Sequence, residues 1–179
     1  MIIYIPKKSN EIYKETIAHR GFHYKVPENS LSAFKAAIKK HYAIEFDIRI
    51  TKDNKIICIH DRHAKRLLGI SGKISNMTYE QLKKYKILNS QENIPTLEEV
   101  LNLVSGKIPI LIEVKGFFNI IFEEKLTNII KKYNGRLYFH AKNLITYYRL
   151  RSLWKHRVFW ILNPFRKRFN FLKSKKCRK

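Results

Sequence analysis

Between residues 43 and 50 apolar Ile44, Phe46 and Ile48 alternate with Glu45 and Asp47, the period-two pattern of a strand with one oily and one acidic face. The same logic places a short strand at 16–19, and Asn29-Ser30 offers an N-cap for a helix over 31–40 with Leu31, Phe34, Ala37 and Ile38 on one side. Lys52-Asp53-Asn54 reads as a turn before a short apolar strand, 56–59, that ends at His60-Asp61. If these two strands form a hairpin, paired residue numbers sum to about 106 and His60 lies opposite Phe46, beside both carboxylates. A parallel arrangement would need an unusually short crossover, and the sequence leaves both geometries open.

Two capping boxes follow, Thr78-Tyr79-Glu80-Gln81 and Thr96-Leu97-Glu98-Glu99, each opening a short helix. Ser105-Gly106 stops the second, Pro109 opens a strand that runs to Val114, and Ile121, Phe122, Leu126, Ile129 and Ile130 mark an amphipathic helix over 119–133. A strand at 136–141, a helix at 144–154, a strand at 158–162 and the breaker Asn163-Pro164 complete the ordered part. The count is six strands. Strands alternating with helices predict an α/β fold with a mainly parallel sheet.

Composition narrows the classes. The chain has 179 residues and 45% hydrophobic content, enough for one domain with a real core. The expected division is a domain over 1–164 and a basic aromatic tail over 165–179. No apolar run reaches the roughly 20 residues of a membrane span, and no secretory signal pattern is seen. Cys58 and Cys177 form neither a disulfide framework nor a metal cluster. These features predict a cytoplasmic protein.

Charge changes the picture more than composition does. The formal net charge is +23, and all fourteen acids precede residue 125, whereas seventeen Lys or Arg lie from Lys125 onward. Such a field attracts anions, among them phosphate esters, nucleic acid and anionic membrane, and salt weakens the attraction. In the tail, Phe165, Phe169, Phe171 and Leu172 are interspersed with basic residues. The plain reading is a frayed tail, and the functional one is an interfacial anchor at an anionic leaflet. Nucleic acid ranks below membrane because no recognition motif accompanies the charge.

The chemistry-bearing patches are Ala18-His19-Arg20-Gly21, Glu45-Phe46-Asp47, His60-Asp61 and Glu113-Val114-Lys115, each at the end of a predicted strand. Polar groups gathered on one rim of successive strands are the habit of a (β/α)8 barrel, although a complete one takes about 200 residues or more. A shortened barrel leaves open edges, which the tail, a partner or a second copy would cover. Among the other histidines, His23, His41, His63 and His156 are read as ordinary surface or core residues. His140 is noted separately because it ends the fifth strand on the same rim.

With Pro27-Glu28-Asn29-Ser30, Thr51-Lys52-Asp53 and Ile94-Pro95-Thr96-Leu97-Glu98-Glu99 added, residues 17–115 resemble the glycerophosphodiester phosphodiesterase family, a branch of the phospholipase-C-like phosphodiesterase barrels. The resemblance implies a TIM-type barrel, here incomplete. It also implies metal-dependent hydrolysis of glycerophosphodiesters to glycerol 3-phosphate and an alcohol. His19 and His60 would be the acid-base pair, Glu45, Asp47 and Glu113 the ligands of Mg²⁺ or Ca²⁺, and Arg20 with Lys115 the phosphate contacts. Oxygen ligands suit a hard cation, and imidazoles suit proton transfer near neutral pH. The rival expectation is a non-catalytic barrel remnant that binds anionic membrane through its basic C-terminal region. After Lys115 the family pattern fades, with Phe139-His140-Ala141 and Phe159-Trp160 as partial echoes.

Overall fold

A computed structural model describes residues 12, 14–116, 119–154, 158–160 and 170–172. Its strands are β1 (Thr16–His19), β2 (Ala43–Ile50), β3 (Ile56–Cys58), β4 (Ile110–Val114), β5 (Leu137–Ala141), β6 (Val158–Trp160) and β7 (Asn170–Leu172). The helices are α1 (Leu31–Lys39), α2 (Lys65–Leu68), α3 (Tyr79–Lys83), α4 (Leu97–Val104), α5 (Ile120–Ile130) and α6 (Leu144–Trp154). The strands form one sheet in the order β6-β5-β4-β2-β1-β7, parallel along that path. Only β3 departs, pairing antiparallel with the end of β2. Among the described residues β6 and β7 are the two ends of the path, so the sheet is the arc of a barrel.

The register explains how both faces of each strand are used. Ala18 of β1, Ile44, Phe46 and Ile48 of β2, Ile110, Ile112 and Val114 of β4, and Leu137, Phe139 and Ala141 of β5 all join the main apolar core. There they meet Phe34 and Ala37 of α1, Leu97, Val100, Leu101 and Val104 of α4, and Phe122 and Leu126 of α5. A period of two then sends His19, Glu45, Asp47, Glu113 and His140 to the opposite face. A second apolar cluster, including Ile57, Ile59, Leu67, Leu82 and Ile94, fills the space beneath the excursion between β3 and α4.

The hairpin alternative holds. Ile48 pairs with Cys58, Arg49 with Ile57 and Ile50 with Ile56, and the Ile59 amide donates to the Asp47 carbonyl at 2.9 Å. Both capping boxes form: Thr78 and Thr96 accept from the amides of Gln81 and Glu99, whose side chains reach back to the cap amides. Ser30 caps α1 through the Ala33 amide.

The strand count needs correction, because the described residues contain seven strands rather than six. The addition lies inside the predicted tail, where Asn170–Leu172 runs parallel to Thr16–Ala18. The physical reason is the free edge of β1, whose unpaired amides and carbonyls accept any extended segment brought alongside. Asn163-Pro164, Cys177 and the remainder of the tail lie outside the described residues. Also unforeseen were α2 and two short 3₁₀ turns, Ile74–Asn76 and Ile87–Asn89, each too brief to leave a hydrophobic period. No helix among the described residues is long and apolar enough to cross a membrane.

The turn after β1 is tight. Gly21 has φ +79°, and a Cβ there would lie 2.8 Å from Ala33 Cβ and 3.0 Å from a ring carbon of Phe34. Gly21→Ala combines left-handed backbone strain with overpacking against α1, so a loss of roughly 2 to 4 kcal/mol in chemical denaturation is expected. A change within half a kcal/mol, roughly the scale of a neutral surface substitution, would contradict that packing.

Candidate active site

Neighbouring strands set the site out in register. His19 of β1 is the Cα partner of Glu45 on β2, Asp47 of β2 is the partner of Glu113 on β4, and Glu113 is the partner of His140 on β5. All three carboxylates and His140 are buried. Burying so much acid is costly unless cations and hydrogen bonds compensate it.

The compensation is specific to each oxygen. Asp47 has Lys115 Nζ 3.2 Å from Oδ1, while Oδ2 accepts from Asn29 Nδ2 at 3.3 Å and lies 3.4 Å from Arg20 Nε. Glu113 Oε1 is held by Lys115 Nζ at 2.5 Å and Lys142 Nζ at 3.0 Å. Glu45 Oε2 accepts the Arg20 amide at 3.2 Å and lies 3.8 Å from His19 Nε2. That amide reaches Glu45 because Arg20 sits at φ 59°, a left-handed conformation rarely adopted by a side chain of this size. Asn29, at φ 54°, is turned toward Asp47 by the same kind of bend.

His60 joins the group by another route. Its Nδ1 is 2.9 Å from Asp61 Oδ1, and its carbonyl accepts from Arg49 Nε and Nη2 at 3.0 and 2.8 Å. Asp61 pairs with Arg66 at 2.6 Å, Arg66 with Glu28 at 2.7 Å, and Glu28 with Arg20 at 2.8 Å. A chain of four ion pairs and hydrogen bonds thus ties the β3 end to the β1 end. The ring is held by Asp61 rather than by a strand carboxylate, and beside it lies a cleft of about 410 Å³ lined by Arg49, Arg62, His63, Lys65 and Arg66.

These contacts shift proton affinities. Burial works to raise the Glu113 carboxyl, but His140, Lys115 and Lys142 outweigh it and hold it at about 2. Burial likewise opposes ionisation of Asp61, yet Arg66 and His60 bring it down to about 2. Glu28 is lowered against its own burial by Arg66 and Arg20. Lys115 is raised, because Asp47 and Glu113 overcome the desolvation that would discharge it.

Of the predicted site residues, His19, Arg20, Glu45, Asp47, Glu113 and Lys115 are linked by direct contacts, and His60 connects through Asp61, Arg66 and Glu28. The three metal-ligand candidates do not stand alike. Glu45, Glu113 and His140 each offer one ligand atom, and these lie within 4.8 Å of one another, a spacing that fits one divalent ion. Both Asp47 oxygens face cations or an amide instead. Sequence reasoning used Asn29 as a cap for α1 and Glu28 as a member of a family patch, and it left out Arg66. The signal for Glu28 and Asn29 was their place in the Pro27-Glu28-Asn29-Ser30 patch, whereas Arg66 had none.

A parallel barrel arc with its polar centre on the carboxyl rim of the strands is the class defined by this fold and site. The chain belongs to the glycerophosphoryl diester phosphodiesterase family, whose family model matches residues 19–160. Among curated relatives, the glycerophosphodiester phosphodiesterase of Caldanaerobacter subterraneus subsp. tengcongensis is 38% identical over 128 residues, covering 66% of this chain and 53% of its own. That of Bacillus altitudinis is 34% identical over 125 residues, covering 66% and 47%. The Thermotoga maritima glycerophosphodiester phosphodiesterase structure has a TM-score of 0.69 at 31% identity and covers 83% of this chain and 62% of its own. An Oleispira antarctica phosphodiesterase solved with sn-glycerol-3-phosphate shares the fold, with a TM-score of 0.72 at 22% identity, covering 86% and 70%. The fold is therefore the family's TIM-type barrel, of which the described residues form an arc. The chain spans about half the length of the curated relatives it matches.

A carboxyl lowered from 4.5 to about 2 in the folded state contributes stability that is complete above the unfolded value and lost as pH falls through that window. For Glu113 the loss should be on the order of 3 kcal/mol. Urea unfolding of the protein and of Glu113→Gln at pH 7, 4 and 2.5 should give a stability difference that narrows with acid. A difference independent of pH would contradict the assigned ion pairs.

Proposed function

We propose that this chain carries a divalent-cation-dependent centre that hydrolyses glycerophosphodiesters to glycerol 3-phosphate and an alcohol. The observation that carries the reading is the convergence of Glu45, Asp47 and Glu113 from adjacent strands beside His19, on the rim where barrel enzymes react. Family membership supports the same substrate class. Mg²⁺ or Ca²⁺ suits the carboxylate donors, and the cation's contribution is to neutralise charge growing on a phosphoryl oxygen.

The protein groups divide the remaining work. Glu45 and Glu113 would hold the cation, with Asp47 alongside anchoring Arg20 and Lys115 as the phosphate contacts. Asp61 on Nδ1 orients the His60 ring and leaves Nε2 for the substrate. His19 and His60 act as the acid-base pair, one taking a proton from the attacking hydroxyl and the other giving one to the leaving oxygen.

A membrane-facing role is a second reading, and a particular surface favours it. Ile120 and Ile121 begin α5 and Leu144, Ile145 and Tyr148 begin α6, all exposed, on the rim that also bears Lys142. Apolar side chains beside basic ones match an anionic lipid surface. This reading is compatible with catalysis and also covers a barrel that binds without turnover.

Turnover is tested by ³¹P NMR of glycerophosphocholine and glycerophosphoethanolamine with Mg²⁺, Ca²⁺, Mn²⁺, Co²⁺ or chelator. Glycerol 3-phosphate should form with cation only, and His19→Ala or His60→Ala should each slow it by at least about a hundredfold. No product with Mg²⁺, Ca²⁺, Mn²⁺ or Co²⁺ would overturn the hydrolase reading. Membrane contact is tested by sedimentation with phosphatidylserine vesicles, where Ile120→Ser combined with Ile145→Ser should reduce the bound fraction severalfold. Unchanged binding of that double variant would exclude the rim as the contact surface.

A further inference from the structure

His140 stands at the end of β5 with only 4% of its surface exposed. Its Nε2 lies 3.4 Å from Glu45 Oε1 and 3.6 Å from Glu113 Oε2. The remaining oxygen of each carboxylate is already engaged, on Glu45 by the Arg20 amide and on Glu113 by Lys115 and Lys142. The imidazole nitrogen therefore faces the two oxygens that no lysine or arginine among the described residues contacts. Two donors about 2.1 Å from one ion lie about 3.0 to 4.2 Å apart, the range that these separations occupy.

We propose that His140 is a direct nitrogen ligand of the cation held by Glu45 and Glu113, and that it shifts selectivity from Ca²⁺ toward Co²⁺, Zn²⁺ and Mn²⁺. Imidazole is a borderline donor that favours transition-metal dications, whereas Ca²⁺ takes six to eight oxygens in a looser shell. A set of one nitrogen and two carboxylate oxygens rewards the first class. At Asp47 the Lys115 ammonium lies 3.2 Å from Oδ1 and the Asn29 amide donates to Oδ2 at 3.3 Å, whereas Glu45 Oε1 and Glu113 Oε2 face the His140 ring. The competing role for His140 is that of a protonated counter-ion to the two glutamates. The two roles differ in observables, since a counter-ion has no bond to the metal.

This inference rests on the divalent centre proposed above but not on its turnover, and its test reads the metal directly. Electron spin echo envelope modulation of Mn²⁺ added to the full chain should show imidazole ¹⁴N coupling. The coupling should persist in His19→Asn and His60→Asn and vanish in His140→Ala and His140→Gln. In parallel, calorimetric competition should show Co²⁺ bound more tightly than Ca²⁺, with Co²⁺ affinity falling at least tenfold in His140→Gln and Ca²⁺ affinity changing less than threefold. If the His140 variants do not fold, as judged by circular dichroism, coupling that survives both other histidine variants still assigns the donor among the three ring nitrogens at the site. Absence of ¹⁴N coupling in the unsubstituted protein, failure to bind Mn²⁺, or coupling that survives in a folded His140 variant would each overturn the proposal. Coupling without hydrolysis of any glycerophosphodiester would sink the hydrolase reading alone, and hydrolysis without coupling would sink this inference alone.

Discussion

The structure depends on burying three carboxylates on the inner face of two adjacent parallel strands. Glu45 and Asp47 lie there because the core claims Ile44, Phe46 and Ile48 on the other face, and Glu113 lies there because Ile112 and Val114 are claimed in the same way. A fold with that arrangement must bring positive charge to it. Arg20 comes from the turn after β1, Lys115 and Lys142 from just beyond β4 and β5, and the left-handed backbone at Arg20 and Asn29 aims donors that an ordinary turn would point elsewhere. Local strain is tolerated at these residues because the acids they serve would otherwise be unpaired.

The elements that carried a period or a cap were legible in the sequence. The alternation in β2 announced its two faces, the turn at Lys52-Asp53-Asn54 gave the β2–β3 pairing on the condition of a hairpin, and the two Thr boxes marked the starts of α3 and α4. What was not legible came from aperiodic chain. Arg66 reaches Glu28 across 38 positions from a helix of four residues, and no local pattern reports such a contact. Strand β7 depends on the edge of β1 more than on its own three residues. His140 was visible as a strand-end histidine, but its approach to Glu45 requires β4 to lie between β2 and β5, a fact of sheet order and not of spacing.

The basic charge and the site belong to one design. Lys115 and Lys142 offset the acids of the rim while the wider cationic field concentrates anionic substrates or surfaces around it. The arc of strands present includes β1, β2, β4 and β5, whose ends bear most of the polar centre, while His60 is delivered by the chain just after β3.

The central claim is that Glu45 and Glu113 share one divalent ion at the carboxyl rim. Anomalous diffraction from crystals soaked in Mn²⁺ tests it most directly. The account predicts a single strong peak about 2.2 Å from Glu45 Oε1 and Glu113 Oε2, lost in Glu45→Gln crystals. A peak elsewhere, or ordered crystals with Lys115 and Lys142 still paired with Glu113 and no peak between the two glutamates, would contradict it.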